Sequence, residues 1–229
     1  MSALYGLIFD VDGVIADTEA VNARASIRVF TDLFGVDGVE REDFEKGLGR
    51  GAEEYIKAAA KVHGLELNNE QVAQATKLRQ EYFLRILRDE PLVAFPGVLK
   101  LIEVALGRQD FRVAIATSST REKSQAVLRS AKVPYEKMVY ITGNEVKNKK
   151  PHPELFQKAV ERLSISPDTC IVIEDTPRGV KAAKAAGCKC IAVTNSMPAE
   201  HLTEANVVVG SLEEVTIDFL VDLIRRDKR

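Results

Sequence analysis

Two aspartates two positions apart, Asp10 and Asp12, follow an apolar run near the start of the chain. The run Leu4–Phe9 predicts a strand buried on both faces of a parallel sheet. Ligands of such sheets bind beyond the carboxyl ends of the strands, so both carboxylates stand where chemistry is expected. Gly13 lets the chain turn after the strand and lets backbone amides approach an anion closely. Taken alone, the motif is also compatible with an acidic turn that only closes a strand.

Two later apolar runs end in the same way, at Thr117-Ser118-Ser119 and at Glu174-Asp175. Because the carboxyl ends of parallel strands meet at one edge of a sheet, we expect these acids and hydroxyls to lie together with the first pair. Lys150 belongs to a basic cluster that precedes Pro151. Lysine runs are usually solvated surface, but among these strand ends we predict that one lysine caps the same site.

The order and spacing of these motifs resemble the haloacid dehalogenase superfamily, in its helical-cap subgroup that includes small phosphatases and β-phosphoglucomutase. The resemblance extends along essentially the whole chain and implies a Rossmann-like core with an inserted helical cap domain. Four motifs carry it, which are Asp10-x-Asp12-Gly13-Val14-x-x-Asp17-Thr18, Thr117-Ser118, Lys150-Pro151, and Glu174-Asp175 followed by Gly179 and Ala182-Ala183.

The resemblance also implies a role for each motif residue. Asp10 is expected to be the nucleophile that attacks a phosphoryl group and forms an aspartyl-phosphate. Asp12 is expected to act as general acid and base, first toward the leaving oxygen and then toward the acceptor. Thr117, through its hydroxyl, and Ser118, through its backbone amide, would hold the phosphoryl oxygens, and Lys150 would neutralise their charge.

A carboxylate approaches a phosphate dianion only if the repulsion is cancelled, so a cation with oxygen ligands is expected between them. We predict Mg²⁺, held by Asp10, Asp175 and the backbone carbonyl of Asp12, with Glu174 holding its coordinated waters. Asp12 also distinguishes among relatives, because the dehalogenases and the phosphonate-cleaving members of the superfamily replace an acid at this position. The sequence therefore favours phosphate ester chemistry over cleavage of carbon–halogen or carbon–phosphorus bonds.

The composition of the chain limits the classes of protein to which it can belong. The net charge is −2 and 45% of the residues are hydrophobic, which favours a buried core and argues against a nucleic-acid partner. No apolar run reaches the roughly 18 residues of a membrane span, and no signal-type segment begins the chain. We therefore expect a soluble, cytoplasmic monomer with no membrane partner. The cysteines Cys170, Cys188 and Cys190 lack metal-ligand spacing and are expected to be buried free thiols.

Strands and helices alternate along the chain, which predicts an α/β fold with a doubly wound parallel sheet. One long stretch has helical spacing and no strand-like run, so we predict a helical cap domain at 17–94 and a core domain at 1–16 and 95–229. The helices predicted for the cap and for the end of the chain are Glu19–Phe34, Arg41–Lys46, Ala52–His63, Asn69–Arg88 and Leu212–Arg225.

An insert placed directly after the nucleophile is well situated to close over the site and to select the substrate. Arg50 lies in its glycine-rich loop 47–51. An exposed loop arginine is usually only solvated, yet in the β-phosphoglucomutase group an arginine at this place in the cap binds the distal phosphate of the substrate, and Arg50 matches it. Asn22 and Leu78 depart from the mutase pattern, which has a histidine and a lysine at these two places.

Fewer polar cap contacts favour hydrolysis, because a mutase must hold a bisphosphate and keep water from the aspartyl-phosphate. The predicted function is a Mg²⁺-dependent phosphatase of a small phosphorylated metabolite, in particular a sugar phosphate. A phosphosugar mutase is the alternative. A non-catalytic binding protein on the same fold is less favoured, because the sequence retains Asp10, Asp12, Lys150 and Asp175.

Overall fold

The computed structural model describes residues 4–48 and 50–226. The chain divides into two compact units. The sheet unit comprises the described residues up to Asp17 and from Leu92 onward, and the helical unit is Thr18–Pro91. Of the predicted core domain, residues 1–3 and 227–229 lie outside the described residues, as does Gly49 of the predicted loop 47–51.

The sheet unit contains six strands that pair in parallel in the order β3-β2-β1-β4-β5-β6. The strands are β1 (Tyr5–Phe9), β2 (Phe111–Ala116), β3 (Val139–Ile141), β4 (Cys170–Glu174), β5 (Lys189–Val193) and β6 (Val207–Val209). Every residue of β1, β4 and β5 is buried, as expected for strands with helices on both faces. The predicted doubly wound parallel sheet is confirmed.

Three helices belong to the helical unit and five to the sheet unit, counted over the described residues. In chain order they are α1 (Thr18–Val29), α2 (Ala52–Val62), α3 (Asn69–Asp89), α4 (Val98–Leu106), α5 (Arg121–Ser130), α6 (Glu154–Leu163), α7 (Pro177–Ala185) and α8 (Ile217–Arg226). None of them is both long and apolar enough to cross a bilayer, within the described part of the chain.

The strand register aligns the carboxyl ends of β1, β2 and β4. Phe9 of β1 pairs with Ile115 of β2 on one side and with Ile173 of β4 on the other. The strand order reverses direction between β1 and β4, and such a switch point is where open α/β sheets bind ligands. Asp10 and Thr117, which follow β1 and β2, therefore share one edge of the sheet with Glu174, the last residue of β4.

Two helix predictions in the helical unit need correction. The helix predicted over Glu19–Phe34 ends as an α-helix at Val29, and Phe30–Phe34 forms a π-helical turn that stops at Gly35 in the left-handed conformation. The segment Arg41–Gly47 is a 3₁₀ helix and not an α-helix.

The last predicted helix, Leu212–Arg225, is also wrong as one element. A short 3₁₀ turn at Leu212–Glu214 comes first, and Ser211 caps it. The helix α8 begins only at Ile217, where the Thr216 hydroxyl accepts a hydrogen bond from Phe219 N at 3.2 Å. Two successive caps thus divide the apolar pattern. Each hydroxyl accepts a hydrogen bond from a backbone amide, which marks the start of a new helical segment.

The three cysteines are free and buried, as predicted. They are part of the hydrophobic core on one side of the sheet, where α6 and α7 also contribute apolar side chains. This core fixes β4 and thereby the acids at its end, Glu174 and Asp175.

Candidate active site

An acidic group lies at the ends of β1 and β4. Asp10, Glu174 and Asp175 are 7%, 0% and 3% exposed, and one carboxylate oxygen of each lies within 4.8 Å of the others. The backbone holds them there, since Asp10 N donates to the carbonyl oxygen of Ile173 at 3.1 Å. Three acids that share a buried site of this size form a donor set for a metal ion.

Lys150 completes what we call the acidic cluster, defined as Asp10, Lys150, Glu174 and Asp175. Its Nζ lies 2.9 Å from Asp10 Oδ2 and 2.5 Å from Glu174 Oε1, and the residue is 8% exposed. It belongs to the segment before α6, where the Lys150–Pro151 peptide bond is cis and Arg178 donates to the Lys150 carbonyl oxygen. The structure thus brings the lysine and both of these acids together.

Glu174 is held by both of its oxygens. While Oε1 accepts from Lys150, Oε2 accepts from Asp175 N at 2.9 Å, Thr176 N at 3.1 Å and Thr176 Oγ1 at 3.0 Å. A Cβ at Gly179 would lie 1.8 Å from the Glu174 Cδ, so the first turn of α7 needs a glycine to admit this side chain. Glu174 is therefore an anchored residue whose charge Lys150 balances.

Two carboxylate oxygens in the cluster are buried without a hydrogen-bond partner. They are Oδ1 of Asp10 and Oδ1 of Asp175, and no donor among residues 4–48 and 50–226 reaches either one. Leaving a buried charged acceptor unsatisfied costs free energy. A hard cation with oxygen ligands would satisfy both atoms, so the residues present fit a divalent metal ion.

The pKa values of the cluster agree with this interpretation. Burial raises the pKa of Asp10 to about 7 against the effect of Lys150, with a further increase from the charges of Glu174 and Asp12. Burial, with the charges of Glu174 and Asp10, also raises the pKa of Asp175 well above its usual range. Burial acts on Glu174 too, but its ion pair with Lys150 and its hydrogen bonds outweigh burial and hold its pKa below the ordinary value. A bound cation would allow all three acids to ionise.

Asp12 lies apart from the acidic cluster in its side-chain contacts. Ser119 Oγ donates to Asp12 Oδ2 at 2.6 Å, and Lys123 Nζ lies 2.8 Å from Asp12 Oδ1. We call these three residues the Asp12 cluster. Ser119 was noted in the sequence only within a run of hydroxyls, and Lys123 was not predicted to belong to the site. The available signal for Lys123 was its position three residues after Thr120, a residue type that caps helices.

The two predicted phosphate-binding residues follow β2. Thr117 is fully buried, donates its amide to the Ile141 carbonyl oxygen at 3.1 Å, and accepts Ser119 N at its hydroxyl at 3.1 Å. Ser118 is exposed at the same strand end. Their contacts with a phosphoryl group remain a prediction.

Gly13 closes the turn after β1 in a conformation that other residues rarely adopt, with φ of 74°. A Cβ at this position would lie 1.8 Å from Asp175 Oδ2 and 2.5 Å from Ser196 Oγ. The Gly13 carbonyl also accepts from Asn195 Nδ2 at 2.9 Å. Glycine is therefore required for the chain to pass this close to the acidic cluster.

The helical unit has a buried polar group of its own. Arg79 of α3 donates to Asn22 Oδ1 at 2.7 Å, and its guanidinium lies 4.9 Å from the centre of the Tyr55 ring. The Tyr55 hydroxyl donates to Glu19. Asn22, the first departure from the mutase pattern, is thus paired with a cation inside this unit.

The other two helical-unit residues from the sequence analysis differ in exposure. Leu78 is half-buried beside Arg79 on α3, and Arg50 is exposed. The structure therefore leaves Arg50 accessible, and its role toward a substrate remains a prediction.

Comparison with known proteins identifies the family. The model of the haloacid dehalogenase-like hydrolases matches residues 7–193. Validoxylamine A 7'-phosphate phosphatase of Streptomyces hygroscopicus subsp. limoneus is 32% identical over 215 residues, which cover 91% of this chain and 94% of that protein. Protein SUPPRESSOR OF QUENCHING 1, chloroplastic, of Arabidopsis thaliana is 30% identical over 87% of this chain, which spans only 19% of that protein's length.

A solved structure with the same fold is that of a CbbY variant from Rhodobacter sphaeroides in complex with xylulose-(1,5)bisphosphate. It superimposes with a TM-score of 0.82 at 26% identity and covers 95% of this chain and 99% of that one. The family predicted from the four motifs is confirmed. The chain belongs to the haloacid dehalogenase-like hydrolases.

Proposed function

We propose that this protein is a Mg²⁺-dependent phosphatase that hydrolyses a small phosphorylated metabolite, in particular a sugar phosphate, through an aspartyl-phosphate on Asp10. The observation that carries the proposal is the pair of orphaned carboxylate oxygens on Asp10 and Asp175, with Lys150 on the other oxygen of Asp10. The phosphatase relative and the sugar bisphosphate bound to the CbbY neighbour support the substrate class.

Asp10, Asp175 and the backbone carbonyl of Asp12 would hold the Mg²⁺, and Glu174 would hold its coordinated waters. When bound, the ion supplies the positive charge that lets a carboxylate approach a phosphoryl group. Lys150 adds a second, permanent positive charge beside the nucleophile, where charge on the transferring phosphoryl oxygens needs stabilisation.

The reaction divides into two displacements. An oxygen of Asp10 bonds to phosphorus while the bond to the leaving oxygen breaks, and Asp12 gives that oxygen its proton. A water molecule then gives its proton to Asp12 and bonds to phosphorus, the bond to Asp10 breaks, and inorganic phosphate leaves. Thr117, through its hydroxyl, and Ser118, through its backbone amide, are proposed to hold the phosphoryl oxygens in both steps.

We propose further that the helical unit is the cap domain and that its residues select the substrate. Arg50 is the proposed contact with a second phosphate or another anionic group of the substrate. Its exposure leaves the guanidinium available, and its planar fork suits a bidentate contact with phosphate.

The test measures release of inorganic phosphate from a panel of sugar and organic acid phosphates with Mg²⁺, with Asp10→Asn as the blank. Phosphate release that the blank lacks is the expected result and identifies the substrate class. Replacement of the nucleophile is expected to reduce turnover by about 10⁴-fold or more. No release from any ester in the panel would overturn the proposal and revive a non-catalytic binding role.

A phosphosugar mutase is the second candidate, because Arg79 and Asn22 are buried and paired within the helical unit. The departures at Asn22 and Leu78 predicted fewer polar cap contacts than a mutase needs, and the pairing of Asn22 with Arg79 adds one such contact. The test is whether β-glucose 1-phosphate becomes glucose 6-phosphate when a bisphosphate primer is present. Isomerisation with little release of inorganic phosphate would identify a mutase.

A further inference from the structure

The carboxylate of Asp12 is held at both oxygens by the loop after β2 and the start of α5. Ser119 Oγ donates to Oδ2 at 2.6 Å, and the ammonium of Lys123 lies 2.8 Å from Oδ1. The Lys123 side chain is 16% exposed and that of Asp12 is 30% exposed. The ion pair is thus largely shielded, unlike the solvated surface pairs that contribute little.

The chain places Lys123 on a fixed element. Thr120 caps α5, and its hydroxyl accepts from Lys123 N at 3.3 Å. Ser119 is fixed in turn, because its amide donates to Thr117 Oγ1 and its carbonyl accepts from Gly143 N at 2.9 Å. Both side chains that contact Asp12 therefore belong to residues whose backbone is itself hydrogen-bonded, which makes them suited to orienting a reactive group.

We propose that Lys123 is a positioning residue for Asp12, whose ammonium holds the carboxylate in the orientation from which it exchanges a proton with the leaving oxygen. This inference rests on the proposed function, in which Asp12 is the general acid and base. Proton transfer requires a separation of about 2.6–3.2 Å between the two heavy atoms, so a side chain that is free to rotate is correctly placed only part of the time. Two contacts at opposite oxygens restrict that rotation.

The test compares kcat and KM of the wild type and Lys123→Ala on the best substrate of the panel, with Lys181→Ala as the matched control. Lys181 is an ion-paired but exposed lysine on α7, 3.3 Å from Glu204. We expect Lys123→Ala to lower kcat about 10-fold with KM nearly unchanged, because the carboxylate of Asp12 loses the contact that orients it. The control should match the wild type, and Lys123→Arg should recover most of the activity.

The leaving group provides a second readout. A sugar oxygen needs a proton to depart, whereas para-nitrophenolate departs readily as an anion. The loss of kcat/KM in Lys123→Ala should therefore be smaller on para-nitrophenyl phosphate than on the sugar phosphate. In the Asp12→Asn background, Lys123→Ala should cause no further loss.

Several outcomes would overturn the inference. A rise in KM at constant kcat would mean that Lys123 binds substrate directly, and unchanged kinetics would mean that the ion pair has no role in turnover. A fall in Tm larger than about 4 °C with no rescue by arginine would indicate a structural role. A wild-type chain that releases no phosphate from any ester would instead overturn the proposed function, and the role of Lys123 with it.

Discussion

Asp10 lies in a closed cluster of charged side chains at the end of β1, whereas Asp12 lies beside a partly exposed loop after β2. Asp10 is 7% exposed, pairs with Lys150 through one oxygen and has a second oxygen without a partner. The side chain of Asp12 is 30% exposed and has a partner at each oxygen. The two aspartates are separated by one residue, yet their surroundings differ in burial, in charge balance and in hydrogen bonding.

The difference shows how one strand end can supply two kinds of carboxylate. A nucleophile and metal ligand benefits from a dry, fixed site, because electrostatic interactions are stronger away from water. A group that carries protons in both directions needs access to substrate and water. The acidic cluster provides the first environment and the Asp12 cluster the second.

The largest expected effect comes from removing the metal. Exhaustive chelation should abolish phosphate release and added Mg²⁺ should restore it, because without a cation the carboxylates of the acidic cluster repel a phosphate dianion. Mg²⁺ at about 100 times its Kd should also stabilise the protein by about 2.7 kcal/mol. Thermal melting with and without Mg²⁺ measures this, and Asp175→Asn should lose the shift. An equal shift in that variant would place the ion elsewhere.

Lys150→Met is expected to have the next largest effect. Turnover should fall by about 10²–10³-fold, since a fixed charge beside the phosphoryl group is lost. Removing one partner of a buried ion pair should also destabilise the protein by about 3–5 kcal/mol, because Glu174 would keep an unbalanced buried charge. Urea unfolding and steady-state kinetics measure the two effects, with Lys181→Met as the control. Wild-type stability in Lys150→Met would show that the ion pairs of the acidic cluster contribute no more to the free energy of unfolding than those of the Asp12 cluster.

The pH dependence of stability gives a smaller effect. The pKa of Asp10 is raised from 3.8 to about 7 in the folded protein without metal, so the folded state binds more protons than the unfolded state across that interval. The contribution of Asp10 to the free energy of unfolding is therefore largest at low pH. It falls by about 2–4 kcal/mol as the pH rises toward 7. Asp175, whose pKa is also raised, changes stability in the same direction.

Urea unfolding in chelator at about pH 5 and about pH 7.5 measures this difference, and Asp10→Asn is the matched control with a smaller dependence. Saturating Mg²⁺ should remove most of the dependence, because the cation favours the ionised acids. Stability that rises with pH over this interval in the metal-free protein would contradict the raised pKa of Asp10.

Ser119→Ala should have the smallest effect of the set. The free energy of unfolding is expected to fall by no more than about 1 kcal/mol, since the hydroxyl and its partner are only partly buried. Turnover should fall severalfold at constant KM. A loss of stability as large as that of Lys150→Met would show that the two clusters do not differ in their contribution to the free energy of unfolding.

Much of this arrangement could be predicted from local sequence. The apolar runs before Asp10 and Glu174 identified buried strands, and the parallel register then required their carboxylates to meet at one edge. Lys150 was predicted from its chain position and its motif. The family resemblance supplied the roles, which the strand pattern alone could not assign.

Other features depend on distances that no local pattern encodes. Lys123 reaches Asp12 only because α5 begins at the capped Thr120 and turns its first residues toward the end of β1. The final helix is divided because Ser211 and Thr216 each cap a separate helical segment. The apolar spacing continues across the break and therefore does not reveal it. The pairing of Arg79 with Asn22 likewise arises from the packing of α1 against α3.

The strand order also has a consequence for how the protein is made. Because β1 pairs with β2 and with β4, which lie far along the chain, the strand that precedes Asp10 leaves the ribosome long before either neighbour exists. Contacts between such distant segments form late and slow the folding of a domain. The helical unit is a continuous segment with contacts of its own, so it can become ordered first. Activity therefore appears only after β4 has been synthesised and inserted beside β1, and a chain truncated before Glu174 has no assembled site.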